Sequence, residues 1–459
     1  MAEGNKNIQF KRVLTLKYLI AFGLAYLAPT VVFNYYGIIT KLSGGMMTLV
    51  YIITTVVLIF TAYSYTRMVK AYPIAGSAYT YVRRAVNPTV GFMTGWVMLL
   101  DYLLLPMICY LLIGVYMNET FPQVPVWVWV VIVMLIGAVI NIVGVKTAAV
   151  VDSVIVTAQI LFTIAFVVLC VVFVSNGHSS GSLLMSSAIF NPTTFDPANM
   201  MWAASILACS FLGFDAVSTL AEETKDPGQT ISKAILIIVI GAGAMFAVVS
   251  YFSQIAWPEA YKDIVNEDAG IFELLPMLGG DVFQTIFLIT DNLASFVCAM
   301  AGLAAVSRIL FGMGRDGMLP KKIFGTLSKR FQTPVNNIII TSLIALTAVF
   351  YSDNLLGAAS LVSFGALIGF TLVNYSVIGH YFIRGKKRSG GDAVRYLILP
   401  LIGMVLCIAL WFSIDTSAKT LGGIWVVIGI IVLAAMTKGF KVQPRDMDLS
   451  EEQDEVAAG

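Results

Sequence analysis

The chain has 459 residues, of which 58% are hydrophobic and only 12% charged, and its net charge is +2. A water-soluble globular chain is about 25% charged. With a mean hydropathy of +0.87, these figures exclude the soluble classes, give no sign of nucleic-acid binding and make a lipid bilayer the main solvent.

A helical span needs about 20 apolar residues. Such stretches occur at 17–40, 46–69, 89–117, 126–145, 149–175, 199–222, 231–257, 282–309, 335–351, 356–383, 396–414 and 420–437. The expected fold class is an all-α membrane protein with twelve transmembrane helices. The first stretch reads as a full span rather than a signal peptide, because it carries no small-residue cleavage motif.

The first span contains Gly23-Leu24-Ala25-Tyr26-Leu27-Ala28-Pro29-Thr30. A proline at mid-depth removes a backbone donor and breaks the helix. The third span places Asp101 and Tyr102 just before Pro106. The sixth carries Phe211-Leu212-Gly213-Phe214-Asp215, a glycine flanked by aromatics and followed by an acid. The eighth carries Asp291 beside Asn292. Asp101, Asp215 and Asp291 therefore all lie deep in apolar stretches, with no lysine or arginine at comparable depth. A charge at the bilayer centre costs about 3 kcal/mol on insertion scales, so such residues face a bundle interior and mark a pathway. Acids without a basic partner imply protonation or a cation that comes from outside.

Loop charges orient the chain. Only Lys41, Lys262 and Lys419 of the 28 lysines and arginines fall on the side opposite the N-terminal tail. By the positive-inside rule both termini are expected in the cytoplasm, in a multi-pass protein of the cell membrane. Glu222, Glu223, Lys225 and Asp226, at the inner end of the sixth span, read as an interfacial ion network or inner gate. The run from Arg445 to Gly459 reads as a disordered tail. Cys109, Cys170, Cys209, Cys298 and Cys407 all lie in spans without metal-like spacing. With His178 and His380 the only histidines, no metal site, cofactor or catalytic constellation is expected.

Interruptions in spans one and six correspond, as in transporters built from inverted repeats with the site between them. This divides the chain into a cytoplasmic tail (1–16), a first five-helix repeat (17–176), a second (198–383), helices eleven and twelve (396–437) and a C-terminal tail (438–459). Unwinding at mid-depth frees N–H and C=O groups for a polar substrate. An ATP-driven pump is disfavoured by the absence of a Walker motif. A channel is disfavoured because the repeats read as inverted, not arranged around a pore.

Further strings complete a pattern: Ala75-Gly76-Ser77-Ala78-Tyr79-Thr80-Tyr81, Val90-Gly91-Phe92-Met93, Leu100-Asp101-Tyr102-Leu103, Ser210 to Val217, Gly312-Met313-Gly314-Arg315-Asp316-Gly317 and Phe364-Gly365-Ala366-Leu367. With Gly23 to Pro29, they resemble the amino acid–polyamine–organocation transporter superfamily and, within it, the bacterial putrescine importers. The resemblance implies a five-plus-five inverted-repeat (LeuT-like) fold with discontinuous helices 1 and 6, alternating access, and uptake coupled to protons. It implies a substrate site around Ala25, Tyr26, Leu27, Ala28, Asp101, Tyr102, Phe211, Gly213, Phe214 and Asp215, to which Asp291 is added from its depth. Many amino acid carriers of the superfamily have Gly-Ser-Gly at the first break, whose amides bind the substrate carboxylate. Here the corresponding residues are Pro29-Thr30-Val31, which disfavours an α-amino acid and favours a small organic cation such as putrescine. An amino acid permease is the alternative. Some proton-coupled relatives carry a lysine where this chain has Gln159.

Overall fold

The computed structural model describes residues 12, 14–74, 77–143, 149–221, 223–315, 319–328, 330–331, 333–352 and 354–441. Expectations placed on 1–11, Ala75, Gly76, Glu222, Asp316, Gly317 and 442–459 lie outside the described residues. Helices build nearly all of the described structure. Hydrocarbon leaves no water to satisfy a free backbone, so a chain this apolar closes its hydrogen bonds within each segment.

The first span is built from α1 (Leu16–Leu27), α2 (Val31–Asn34) and α3 (Tyr36–Leu42). The second is α4 (Met47–Ala71), followed by a short α5 (Ser77–Ala85). The third, α6 (Pro88–Thr120), starts where the Asn87 side chain accepts from Val90 N and Pro88 supplies a preset φ. Next come α7 (Val126–Val143) and α8 (Ala149–Ser175). The sixth span is α9 (Pro197–Leu207), capped by Asp196, then a 3₁₀ turn Ala208–Phe211, a break, and a second 3₁₀ turn Ala216–Leu220.

After these come α10 (Pro227–Ala256), α11 (Ala260–Asp263) and α12 (Ile271–Arg315). Gly280, at φ 66° and ψ −170°, divides α12 into a short outer helix and the eighth span. The chain closes with α13 (Lys321–Phe324), α14 (Val335–Ala345), α15 (Leu355–Val377), α16 (Gly390–Ala393), α17 (Leu399–Ser413) and α18 (Thr416–Met436).

Among the described residues, eleven stretches are long and apolar enough to cross a membrane. The expected stretch at 335–351 is a shorter apolar helix, Val335–Tyr351, whose α-helical part α14 passes into a 3₁₀ turn from Leu346 to Tyr351. Burial separates centre from rim. The apolar window of α6 is 94% buried, against 17% in α18. Thus α6 lies in the middle of the bundle, against α12 and α15, while α4 packs on α10. Val139, Leu161, Ile289 and Ile431 stay exposed on the outer faces, an apolar surface that suits lipid.

Candidate substrate site between the broken helices

Two helix breaks touch at the centre of the bundle. In α1 the helix stops at Leu27, and Ala28 adopts φ 55° and ψ 101°. Pro29, which has no N–H, keeps the helix from continuing. In the sixth span Leu212 extends to ψ 137° and Gly213 sits at φ 117°, a conformation open mainly to glycine. A Cβ on Gly213 would come within 2.8 Å of Tyr26 Cδ1 and 3.1 Å of Leu27 N. Glycine is needed there twice, for its torsion and for the close approach of the other break.

Asp101 and Asp215 face this junction, 5% and 3% exposed. Asp215 Oδ1 accepts from Gly213 N at 3.3 Å, and its own carbonyl accepts from Ser218 Oγ at 2.6 Å. The acid thus braces its break through backbone N–H groups at 213, 215 and 216. Asp101 has no hydrogen-bond partner among the described residues. Tyr26, Asp101, Tyr102 and Asp215 lie within electrostatic reach of one another, and no described basic side chain pairs with either acid. Gly365 lets α15 close on this spot, since a Cβ there would lie 2.8 Å from Val97 O and 3.7 Å from Asp101 Cβ. Cys298 of α12 donates its thiol to Tyr26 O at 3.8 Å.

Asp291 belongs to a different group. Its Oδ1 lies 2.6 Å from Thr30 Oγ1, which is also 3.0 Å from Gln159 Oε1. Thr30 N donates to the same Gln159 oxygen at 3.2 Å. All three side chains are buried; Ser295 also stands beside Asp291, and Oδ2 has no close hydrogen bond among the described residues. The three deep acids therefore divide: Asp101 and Asp215 share the tyrosine-lined junction, and Asp291 binds the far side of the α1 break.

Phe211 and Phe214 flank Gly213, but their rings point into packing. Phe211 lies against Tyr51 and Phe246, and Phe214 against Tyr65 and Phe370, with centroids 5.2–6.5 Å apart. Ala25, Tyr26 and Ala28 are half-buried on the break, and Leu27 is buried. Where α3, α9, the 267–268 turn and the start of α15 converge, a cavity of about 500 Å³ opens, lined among others by Lys41, Trp202, Glu267 and Asp268. At the opposite end Leu14 pairs with Thr224 as an isolated parallel bridge: Leu14 N donates to Glu223 O at 3.0 Å and Leu14 O accepts from Lys225 N at 3.2 Å. This backbone latch joins the start of span one to the end of span six. Sequence reasoning placed charges there and missed the latch, which uses no side chain. It also missed Thr30 as a bridge, although a hydroxyl directly after a helix-breaking proline could have flagged it.

A family model described as amino acid permease matches residues 19–443. The chain is 37% identical over 439 residues to the low-affinity putrescine importer PlaP of Escherichia coli strain K12, covering 95% of this chain and 96% of that relative. A probable low-affinity putrescine importer PlaP of Klebsiella pneumoniae is 36% identical over 192 residues, covering 42% of this chain and 93% of that relative. The branched-chain amino acid permease BcaP of Lactococcus lactis subsp. cremoris strain MG1363 is 24% identical over 458 residues, covering 93% and 94%.

Proposed function

This chain belongs to the amino acid permease family, transporters and not enzymes, and from that premise we propose that it imports a small organic cation such as putrescine. The observation that carries this reading is the pair Asp101 and Asp215, buried beside Tyr26 and Tyr102 without a basic partner among the described residues. Two carboxylates in a low-dielectric site repel, and a diamine between them replaces that repulsion with attraction. The tyrosine rings add cation–π attraction of order 1–2 kcal/mol to a desolvated ammonium. The first break offers a carboxylate less: Pro29 lacks the N–H that an amino acid would use, and Thr30 N–H already donates to Gln159 Oε1.

Transport runs by alternating access, coupled to protons. The 335–351 segment completes twelve spans, ordered as two inverted five-helix repeats with the last two appended, and both termini lie in the cytoplasm. On that orientation the 500 Å³ cavity is the outer vestibule and the Leu14–Thr224 bridge closes the inner end. The second reading, an amino acid permease, is favoured by the likeness to the branched-chain permease.

Competition against labelled putrescine in proteoliposomes separates the two. Unlabelled putrescine should displace the label, while ornithine, which adds an α-carboxylate, should compete poorly. Equal competition by ornithine or by leucine would favour the permease reading.

A further inference from the structure

Thr30, Gln159 and Asp291 present a problem of proton count. Thr30 Oγ1 lies within hydrogen-bond distance of two acceptors, Asp291 Oδ1 at 2.6 Å and Gln159 Oε1 at 3.0 Å. It has one proton to give. Turning the Gln159 amide around does not help, because Thr30 N–H donates to the same atom and would then face an NH₂ group. With Asp291 ionised, one of the two side-chain contacts sets lone pair against lone pair. Beyond Thr30, a charged Asp291 would have only the Ser295 hydroxyl beside it among the described residues, with Oδ2 left without a close hydrogen bond, and burying an under-partnered charge is far costlier than burying a neutral carbonyl.

A proton on Asp291 Oδ1 resolves every contact. Asp291 O–H donates to Thr30 Oγ1, Thr30 O–H donates to Gln159 Oε1, and Oδ2 becomes an uncharged carbonyl oxygen. The relay ties the break after α1 to α8 and α12 at once. The titratable groups facing Asp291 are Cys109 and Tyr116, both on α6; Ser295, one turn along α12, offers Asp291 a second hydroxyl, and Gln159 carries no charge. No described basic side chain pairs with it.

We propose that Asp291 is the proton carrier that couples the transport cycle, and that its proton closes the Asp291–Thr30–Gln159 latch across the helix-1 break. This rests on the reading of the chain as a cation importer. In the step itself, a lone pair of Oδ1 forms an O–H bond as an O–H bond of a hydronium ion in the outer water breaks, leaving water, and the latch forms. When the inner end opens, the Oδ1–H bond breaks with its electron pair left on Oδ1, a lone pair of an inner water takes the proton to give hydronium, and the carboxylate returns.

The test uses the full chain in proteoliposomes with the membrane potential clamped at zero. One proton per substrate then converts each pH unit into about tenfold accumulation of labelled putrescine. Asp291→Asn keeps a donor toward Thr30 but cannot carry a proton. It should lose the accumulation driven by a pH gradient, while Asp291→Glu should restore part of it. Gradient-driven accumulation at the wild-type level in Asp291→Asn overturns the proposal. So does wild-type accumulation driven by sodium and indifferent to pH, which would make the three oxygens a sodium site. A second readout needs no substrate: the infrared band of a protonated carboxyl should weaken in Asp291→Asn and titrate with pH in the wild type. An unchanged band overturns the proposal even if the variant fails to transport. Absence of putrescine counterflow in the wild type would refute the substrate reading instead, and the infrared result would still decide the role of Asp291.

Discussion

Gly213 rests directly on Tyr26, so close that the Cβ of any other residue would meet the tyrosine ring at 2.8 Å. Span six and span one are therefore held together at the two points where each ceases to be a helix. Gly213→Ala should lower the thermal stability by the strain of a residue forced to φ 117°, of order 1–3 kcal/mol, and should abolish putrescine uptake. Gly241→Ala, on α10 with open space around its Cβ, is the control and should change neither. Uptake by Gly213→Ala at the level of Gly241→Ala would show that the contact has no role.

The Asp101 carboxyl has no hydrogen-bond partner among the described residues, which leaves it open to a ligand. Asp101→Asn should weaken putrescine binding by roughly 2 kcal/mol, about thirtyfold, as expected when one member of a desolvated charge pair is neutralised. Equilibrium binding of labelled putrescine to purified protein measures this. An unchanged affinity would assign Asp101 to helix packing.

The packing of Phe214 against Tyr65 and Phe370 argues for a structural part. Phe214→Leu should reduce thermal stability by about 1–2 kcal/mol and leave putrescine affinity unchanged. A loss of affinity at constant stability would place the ring in the substrate path.

The Leu14–Thr224 bridge consists of two backbone bonds, and Leu14→Pro removes one donor. The loss of about 1 kcal/mol should favour opening at that end by roughly fivefold. Cys298, beside Tyr26 O, reports it in a background where the other four cysteines are alanine. An impermeant maleimide applied on the side of the N-terminus should label Cys298 faster in Leu14→Pro, and bound putrescine should slow the labelling. Equal rates in the two proteins would show that the bridge does not gate access.

Much of this organisation was legible in the amino-acid order. Pro29 announced one break by what its ring cannot donate, and Gly213 between two aromatics announced the other. The depth of the three acids followed from apolar stretches alone. Their division into two groups did not, because which face of α6 or α12 a residue occupies relative to a partner helix is decided by tertiary packing. Gly365 shows the same limit, since its value lies in the carbonyl of Val97 on another helix. Phe211 and Phe214 read from the sequence as substrate-site residues, whereas their neighbours in space include other aromatic rings. The 335–351 stretch was apolar enough to suggest an ordinary span, yet its last turn tightened into 3₁₀ geometry.

The most direct measurement is uptake of labelled putrescine by Asp215→Asn in proteoliposomes beside the wild type, with the amount of inserted protein determined for both. The asparagine oxygen still accepts from Gly213 N, so the fold and the break should survive while the charge that receives the ammonium is gone. The expected result is normal insertion with uptake reduced at least about tenfold, the equivalent of 1.4 kcal/mol or more. Wild-type uptake by Asp215→Asn would contradict the claim that buried carboxylates at the helix breaks receive the cation.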